Sequence, residues 1–258
     1  MIEDSLFDES MDENNMPDVH TSQPKEPDSI PNTIAIDGPA ASGKSTLGKR
    51  VADKLGYLFF DTGVMYRAIT WVALQNQVDL EDESRVTHLA QHTALDIQSP
   101  SRDDGRQCDI LADGVDITWE IRTPKVDRNV PLVSSYAGVR EALTLQQRKI
   151  GERGQVVMMG RDIGTVVLPD ADLKIYLDAS AEVRAQRRHA EILKRGENSD
   201  QDQVLEGMYK RDRFDSTRKI APLKPADDAI IIHSDNLNEE QVLLQVLFLI
   251  TQRSRHQE

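Results

Sequence analysis

An α/β fold is predicted: a parallel five-stranded sheet flanked by helices, with a small antiparallel β insertion. Three observations predict it. A β-branched run leads straight into a glycine-rich turn and an amphipathic segment, "TIAIDGPAASGKSTLGKR" over 33–50. Strand-like and helix-like segments then alternate, the rhythm of parallel strands joined by helical crossovers. Between about Ala94 and Asp116 that rhythm gives way to short alternating runs separated by turn residues, the pattern of antiparallel strands.

Each element follows from its residues. "TIAI" is a short apolar run of the kind buried in a parallel sheet. In "KSTLGKRVADKLG", Leu47, Val51 and Leu55 recur at four-residue spacing and Gly56 supplies a stop, so a helix is predicted. "YLFFD" reads as the second strand and "GVMYRAITWVALQNQ" as an amphipathic helix. "LDIQS", "QCDILAD" and "VDIT", parted by "PSRDDG" and "DG", form the insertion. "TPKVDRNVPLVSS" is helical, with a kink or split expected at Pro131. "GVREALTLQQRKIGERG" is a further helix, followed by strands "QVVMMG" and "LKIYLD". Two Arg-rich helical stretches start at about Ala181 and Asp202, and strand "AIIIH" and a helix after Asn238 close the domain.

The chain has 258 residues, enough for one core with a small appendage. Cys108 is the single cysteine, which excludes an internal disulfide and a multi-cysteine metal cage. Residues 1–30 carry nine acids against one base, Lys25, and so hold most of the net charge of −13. That leader is expected to be a disordered acidic tail, with the folded domain over 31–258. The mildly acidic remainder argues against a nucleic-acid polymer as partner. "VLLQVLFLI", Val242 to Ile250, is too short to span a bilayer and contains Gln245, so a soluble, cytoplasmic protein is expected.

The opening turn matches GxxxxGK(S/T) at Gly38, Gly43, Lys44 and Ser45, a P-loop NTPase-type signature. Its successive N–H groups and the dipole of the following helix favour a polyphosphate. Gly38, Pro39, Ala40, Ala41, Ser42, Gly43, Lys44, Ser45 and Thr46 are therefore expected to bind ATP, with Ser45 on Mg²⁺. A guanine-reading Asn-Lys pair occurs nowhere, which argues against a GTPase. A small-molecule kinase remains, for which positioned cations matter more than a base. Arg184, Arg187 and Arg188 share one helical face by spacing, and Arg211, Asp215 and Arg218 share another.

Seven motifs in order, "IDGPAASGKST", "DTGVMYRA", "EIRT", "VREAL", "GRDIGTVV", "KIYLDAS" and "APLKPADDA", resemble the bacterial cytidylate kinases, nucleoside monophosphate kinases of the P-loop class. The likeness runs from about Ile34 to the C-terminus. It implies transfer of the γ-phosphoryl of ATP to CMP or dCMP by a monomer. It places an acceptor-binding insertion over about 94–122 and a mobile lid over about 187–200. By the same likeness Arg67, helped by Thr62, holds the acceptor phosphate. Lys44, Arg161 and Arg211 share the charge on the transferring group, and Arg188 closes over the ATP side. Asp162 and Arg140 match the base-reading positions. The carboxylate accepts from the cytosine amino group, and the arginine donates to N3 and O2. Asp215 matches a sugar-contacting position, with Arg211 and Arg218 toward the acceptor's phosphate and sugar.

One position departs from the family pattern. A base-contacting residue that is commonly serine is here Pro131, with neither hydroxyl nor N–H; Ser134 and Ser135 are the nearby hydroxyls. Asp61, acting through water, is the further carboxylate expected near Mg²⁺. The alternatives are a P-loop kinase for another monophosphate or small acceptor, and a non-catalytic ATP-binding module.

Overall fold

A computed structural model describes residues 30–218 and 220–253. The acidic leader, apart from Ile30, lies outside the described residues. The five-stranded sheet is wholly parallel, with β1 (Thr33–Asp37), β2 (Leu58–Asp61), β6 (Val156–Met159), β7 (Leu173–Asp178) and β8 (Ile230–His233) in the order β2-β6-β1-β7-β8. β1 lies at the centre, Ile36 standing beside Met159 on one side and Ile175 on the other.

The period of two along these strands divides the core into two layers. Ile34, Ile36, Phe59, Val157, Met159, Ile175 and Leu177 face one way, toward α1 (Lys44–Leu55) and α8 (Glu239–Arg253). Ala35, Phe60, Val156 and Met158 face the other, toward α2 (Gly63–Gln75) and α5 (Ala137–Gly151). α1 lies close to the sheet because Gly48 is a glycine, since a Cβ there would stand 2.8 Å from the Phe59 ring.

The insertion is a three-stranded antiparallel sheet of β3 (Leu95–Gln98), β4 (Asp109–Ala112) and β5 (Val115–Asp116), followed by a 3₁₀ turn, Glu120–Arg122. Buried Arg106 organises its loops by donating to Asp104, Asp109 and Asp116, each at 2.8 Å. Ile97, Ile110, Ile117 and Ile121 join it to the α2–α5 layer of the core.

Three local readings change. A helix the sequence reading passed over, α3 (Glu83–His92), precedes the insertion, and Asp82 caps it by accepting from the Arg85 N–H at 3.0 Å. α4 (Pro124–Val133) runs through Pro131 and is not split there. Pro131 stands in the last turn, so its missing N–H deprives only the carbonyl of solvent-exposed Asp127, which water can satisfy. The break comes three residues later, at Ser134–Tyr136. The "GRDIGTVV" stretch, which carries no helix or strand pattern, forms a single π-helical turn, Ile163–Val167.

α6 (Ala181–Lys194) and α7 (Gln201–Thr217) are the two Arg-rich helices. The segment expected as lid begins inside α6, and only 195–200 lies outside helices.

Candidate active site

The phosphate loop joins β1 to α1. Gly38 has φ +147° and a Cβ there would fall 2.1 Å from the Leu177 carbonyl oxygen, so only glycine lets the chain turn off the sheet here. Gly43, the residue before α1, has φ +97°. Lys44 opens α1 with a buried ammonium that donates to the Pro39 carbonyl at 2.6 Å and to Ser42 Oγ at 3.3 Å. Burial holds its pKa well below the usual lysine value. The Arg161 charge adds to that, while Asp61, Asp37 and Asp215 oppose it. Lys44 and Arg161 are thus neighbouring cations in one field.

A cavity of about 700 Å³ opens from this loop. Ser42, Lys44 and Ser45 line its floor, Arg187 and Arg188 one wall, and Asn238 the far end. It is large enough for a nucleoside triphosphate's base and sugar beyond the phosphates.

The arginines separate by partner. Arg184, expected with Arg187 and Arg188 on a free cationic face, is buried. It donates to the Ala179 carbonyl at 2.9 Å, the Ala40 carbonyl at 3.1 Å and Asp212 Oδ1 at 3.0 Å, bracing the phosphate loop from behind. Arg187 donates to Ser234 through its carbonyl at 2.6 Å and its Oγ at 3.2 Å, closing the cavity wall onto the segment after β8. Arg188 is exposed, paired with Glu191 at 2.7 Å, and keeps access to the cavity.

Two carboxylates gather the remaining cations. Asp215, buried on α7, accepts from Arg161 at 2.9 Å and from Arg211 at 3.2 Å through the same Oδ2. These two arginines and their proximity hold its carboxyl below the usual range against the opposing effect of burial. Asp162 accepts from Arg140 at 2.8 Å and stands 3.5 Å from Arg218. Arg140 also lies 5.7 Å over the Tyr66 ring. Arg67 is held away from this group, donating to Asp127 and to the Ile121 carbonyl at 3.3 Å. The Thr62 hydroxyl is buried and donates to the Met159 carbonyl at 3.1 Å. Ser134 and Ser135 direct their hydroxyls to the Pro131 and Leu132 carbonyls, at 3.1 and 2.6 Å.

The family model described as cytidylate kinase matches residues 34–252. The chain belongs to the cytidylate kinase family. The cytidylate kinase of Herpetosiphon aurantiacus is 52% identical over 220 residues, spanning 85% of this chain and 94% of that protein. Those of Roseiflexus castenholzii and Chloroflexus aggregans are 49% and 47% identical, spanning 87% and 84% of this chain and 96% and 93% of theirs. The α/β P-loop kinase fold and the family read from the motifs are borne out.

Within this cytidylate kinase family member, three site residues escaped sequence reasoning. Tyr66 and Gln147 flank the Arg140–Asp162 pair. Gln147 is buried against Tyr66, and Arg140 Nε has no hydrogen-bond partner among the described residues. Buried donors left open in this way suit a ligand rich in acceptors. Tyr66 adjoins Arg67 in "MYR", and Gln147 lies seven residues after Arg140 on the same face of α5, a spacing that could have exposed it. The third is Asp37, whose only sequence signal was an acid ending a buried strand.

Proposed function

We propose that this chain phosphorylates CMP and dCMP with ATP, yielding CDP or dCDP and ADP by in-line transfer. The observation that carries the reading is the chain of charge from Lys44 through Arg161 to Asp215 and Arg211, set between the phosphate loop and the buried Arg140–Asp162 pair. Each part has a task. The loop 38–46 receives the triphosphate. Lys44, Arg161 and Arg211 meet the charge that develops on the transferring phosphoryl. The acceptor is already an anionic phosphate oxygen, so no strong general base is needed. Arg188 approaches from the ATP side.

On the acceptor side, Arg67 exchanges Asp127 for the monophosphate with Thr62 nearby, and Asp215 and Arg218 address the sugar. Asp162 accepts from the cytosine amino group and Arg140 donates to the ring. Uracil would present a carbonyl oxygen to the same carboxylate and be refused. Residues 94–122 serve as the acceptor-binding insertion and 187–200 as a lid, whose closure keeps water from competing for the phosphoryl group.

Mg²⁺ fits the donor side. Ser45 lines the cavity beside Lys44, and Asp61 is a half-buried carboxyl whose pKa is raised by desolvation, a group a cation would stabilise directly or through water. The ion would supply charge neutralisation between the β- and γ-phosphates. No helix among the described residues is long and apolar enough to cross a membrane. We place the enzyme in the cytoplasm, acting as a monomer, its leader 1–30 dispensable for turnover.

The deciding experiment measures ADP release with CMP, dCMP, UMP, AMP and GMP as acceptors. CMP and dCMP should be fastest. A preference for AMP, or ATP binding with no CMP-dependent turnover, would overturn the reading.

A further inference from the structure

Asp37 ends β1, and the next residue, Gly38, begins the phosphate loop. Its side chain is buried, and none of the described cations lies within 4.0 Å of it as an ion pair. Its two oxygens divide between consecutive backbone donors. Oδ1 accepts from the Ile163 N–H at 2.8 Å and Oδ2 from the Gly164 N–H at 2.7 Å. These are the first two N–H groups of the π-helical turn, which have no partner within the turn itself. The residues immediately before them are Arg161 and Asp162, the side chains that engage Asp215 and Arg140.

An isolated buried carboxylate is costly, so a residue of this kind would be replaced by a neutral one if it only filled space. Here the charge is met by two fixed amides, an arrangement that sets the direction of both N–H bonds at once. We propose that Asp37 is a positioning residue that locks the Arg161–Asp162 segment to the root of the phosphate loop, keeping acceptor-side groups in register with Lys44. This rests on the reading of Arg161 and Asp162 given above. Its leverage is geometric, since a displacement of about 1 Å at a reacting centre costs on the order of a hundredfold in rate.

The space around Gly164 supports the same view. A Cβ there would stand 3.1 Å from Lys174 Cδ and 3.4 Å from Asp37 Oδ2, so an added methyl group would crowd Lys174 directly beside this contact. Two different perturbations therefore bear on one contact. Asp37→Asn keeps the shape but turns an amide NH₂ toward one of the two N–H donors. Gly164→Ala leaves the carboxylate intact and adds a methyl group that crowds the contact from the Lys174 side.

The test compares both variants with the wild-type enzyme in three measurements. These are steady-state kinetics with CMP and UMP, direct binding of a non-hydrolysable ATP analogue, and amide hydrogen exchange over 163–167 without acceptor. For Asp37→Asn the CMP KM should rise about tenfold or more, kcat should fall, and the CMP-over-UMP preference should narrow. Exchange over 163–167 should quicken, while affinity for the ATP analogue stays within about threefold. Gly164→Ala should show the same split in milder form, and it decides the matter if Asp37→Asn does not fold. Unchanged CMP kinetics, or ATP and CMP affinities falling by equal factors, would overturn the role of Asp37. If the wild-type enzyme itself fails to use CMP, the functional reading falls. The exchange data then decide Asp37 alone: slow exchange in the variants would overturn the lock and fast exchange would support it.

Discussion

Arg140 donates to Asp162 across 2.8 Å with both side chains largely withdrawn from solvent, so the two opposite charges are paired inside the protein. The pair leaves Arg140 Nε without a partner among the described residues and keeps Asp162 Oδ1 beside Arg218. On the function proposed above, a pyrimidine that inserts its amino group and ring acceptors would satisfy what the protein leaves open. One that lacks the amino donor would not.

Asp162→Asn should therefore relax base choice. It retains volume and avoids the larger penalty of leaving Arg140 buried beside an alanine. The CMP-over-UMP ratio of kcat/KM is expected to drop by about 2 kcal/mol, roughly thirtyfold, with affinity for an ATP analogue little changed. An unaltered ratio across the acceptor panel would remove Asp162 from base recognition.

Asp215→Asn tests the convergence of Arg161 and Arg211. Both guanidiniums lose a shared charged acceptor and gain freedom to drift from the transferring group. Turnover should fall roughly a hundredfold, with a smaller change in the ATP KM. A fall confined to thermal stability would show that the carboxylate only packs α7.

Arg184→Lys asks whether a guanidinium is needed behind the phosphate loop. Lysine cannot reach the Ala40 and Ala179 carbonyls and Asp212 together with planar donors. The ATP KM should rise severalfold while the CMP KM holds, as read by varying each substrate at saturation of the other.

The pH dependence of stability should carry the mark of Asp37. Burial raises its pKa to about 6 from an ordinary 3.8, more than the Ile163 and Gly164 amides lower it. Around it stand Lys44 from α1, Asp162 before the π-helical turn, and Lys174 and Tyr176 from β7. Between about pH 4 and 6 the folded state holds a proton that the unfolded state releases, so this group's contribution is greatest below pH 4 and is lost as pH rises past 6. The loss is at most roughly 3 kcal/mol. The Tm advantage of wild type over Asp37→Asn should accordingly be larger at pH 4.5 than at pH 7.5. An advantage independent of pH would show that Asp37 titrates normally.

Legibility in the sequence followed the strength of the local signal. β1 and the phosphate loop were readable because a buried strand, two glycines and a lysine have few other uses in that order. The insertion was readable because antiparallel strands alternate and turn residues punctuate them. α3 was passed over because Val86 and Ala90 are its only buried residues, too few to mark a period. "IGTVV" is rich in β-branched residues, and nothing local betrays a π-helical turn fixed by Asp37 from a distant strand. Arg184 has the same spacing as Arg188, yet one is buried and the other exposed. Which arginine turns inward is decided by Asp212 and the Ala40 carbonyl, tertiary partners that spacing cannot name.

The order β2-β6-β1-β7-β8 makes the donor cavity a late product of synthesis. Its far end is built from Ser234, Asn238 and Val242, and α1 packs against α8, the last helix of the fold. A ribosome that has translated only to Asp228 has already made the loop, Lys44 and all the arginines of the site, yet not the wall that would clasp the nucleotide's distal half. The emerging polypeptide thus has its phosphate loop well before it has the whole of the cavity that opens from it.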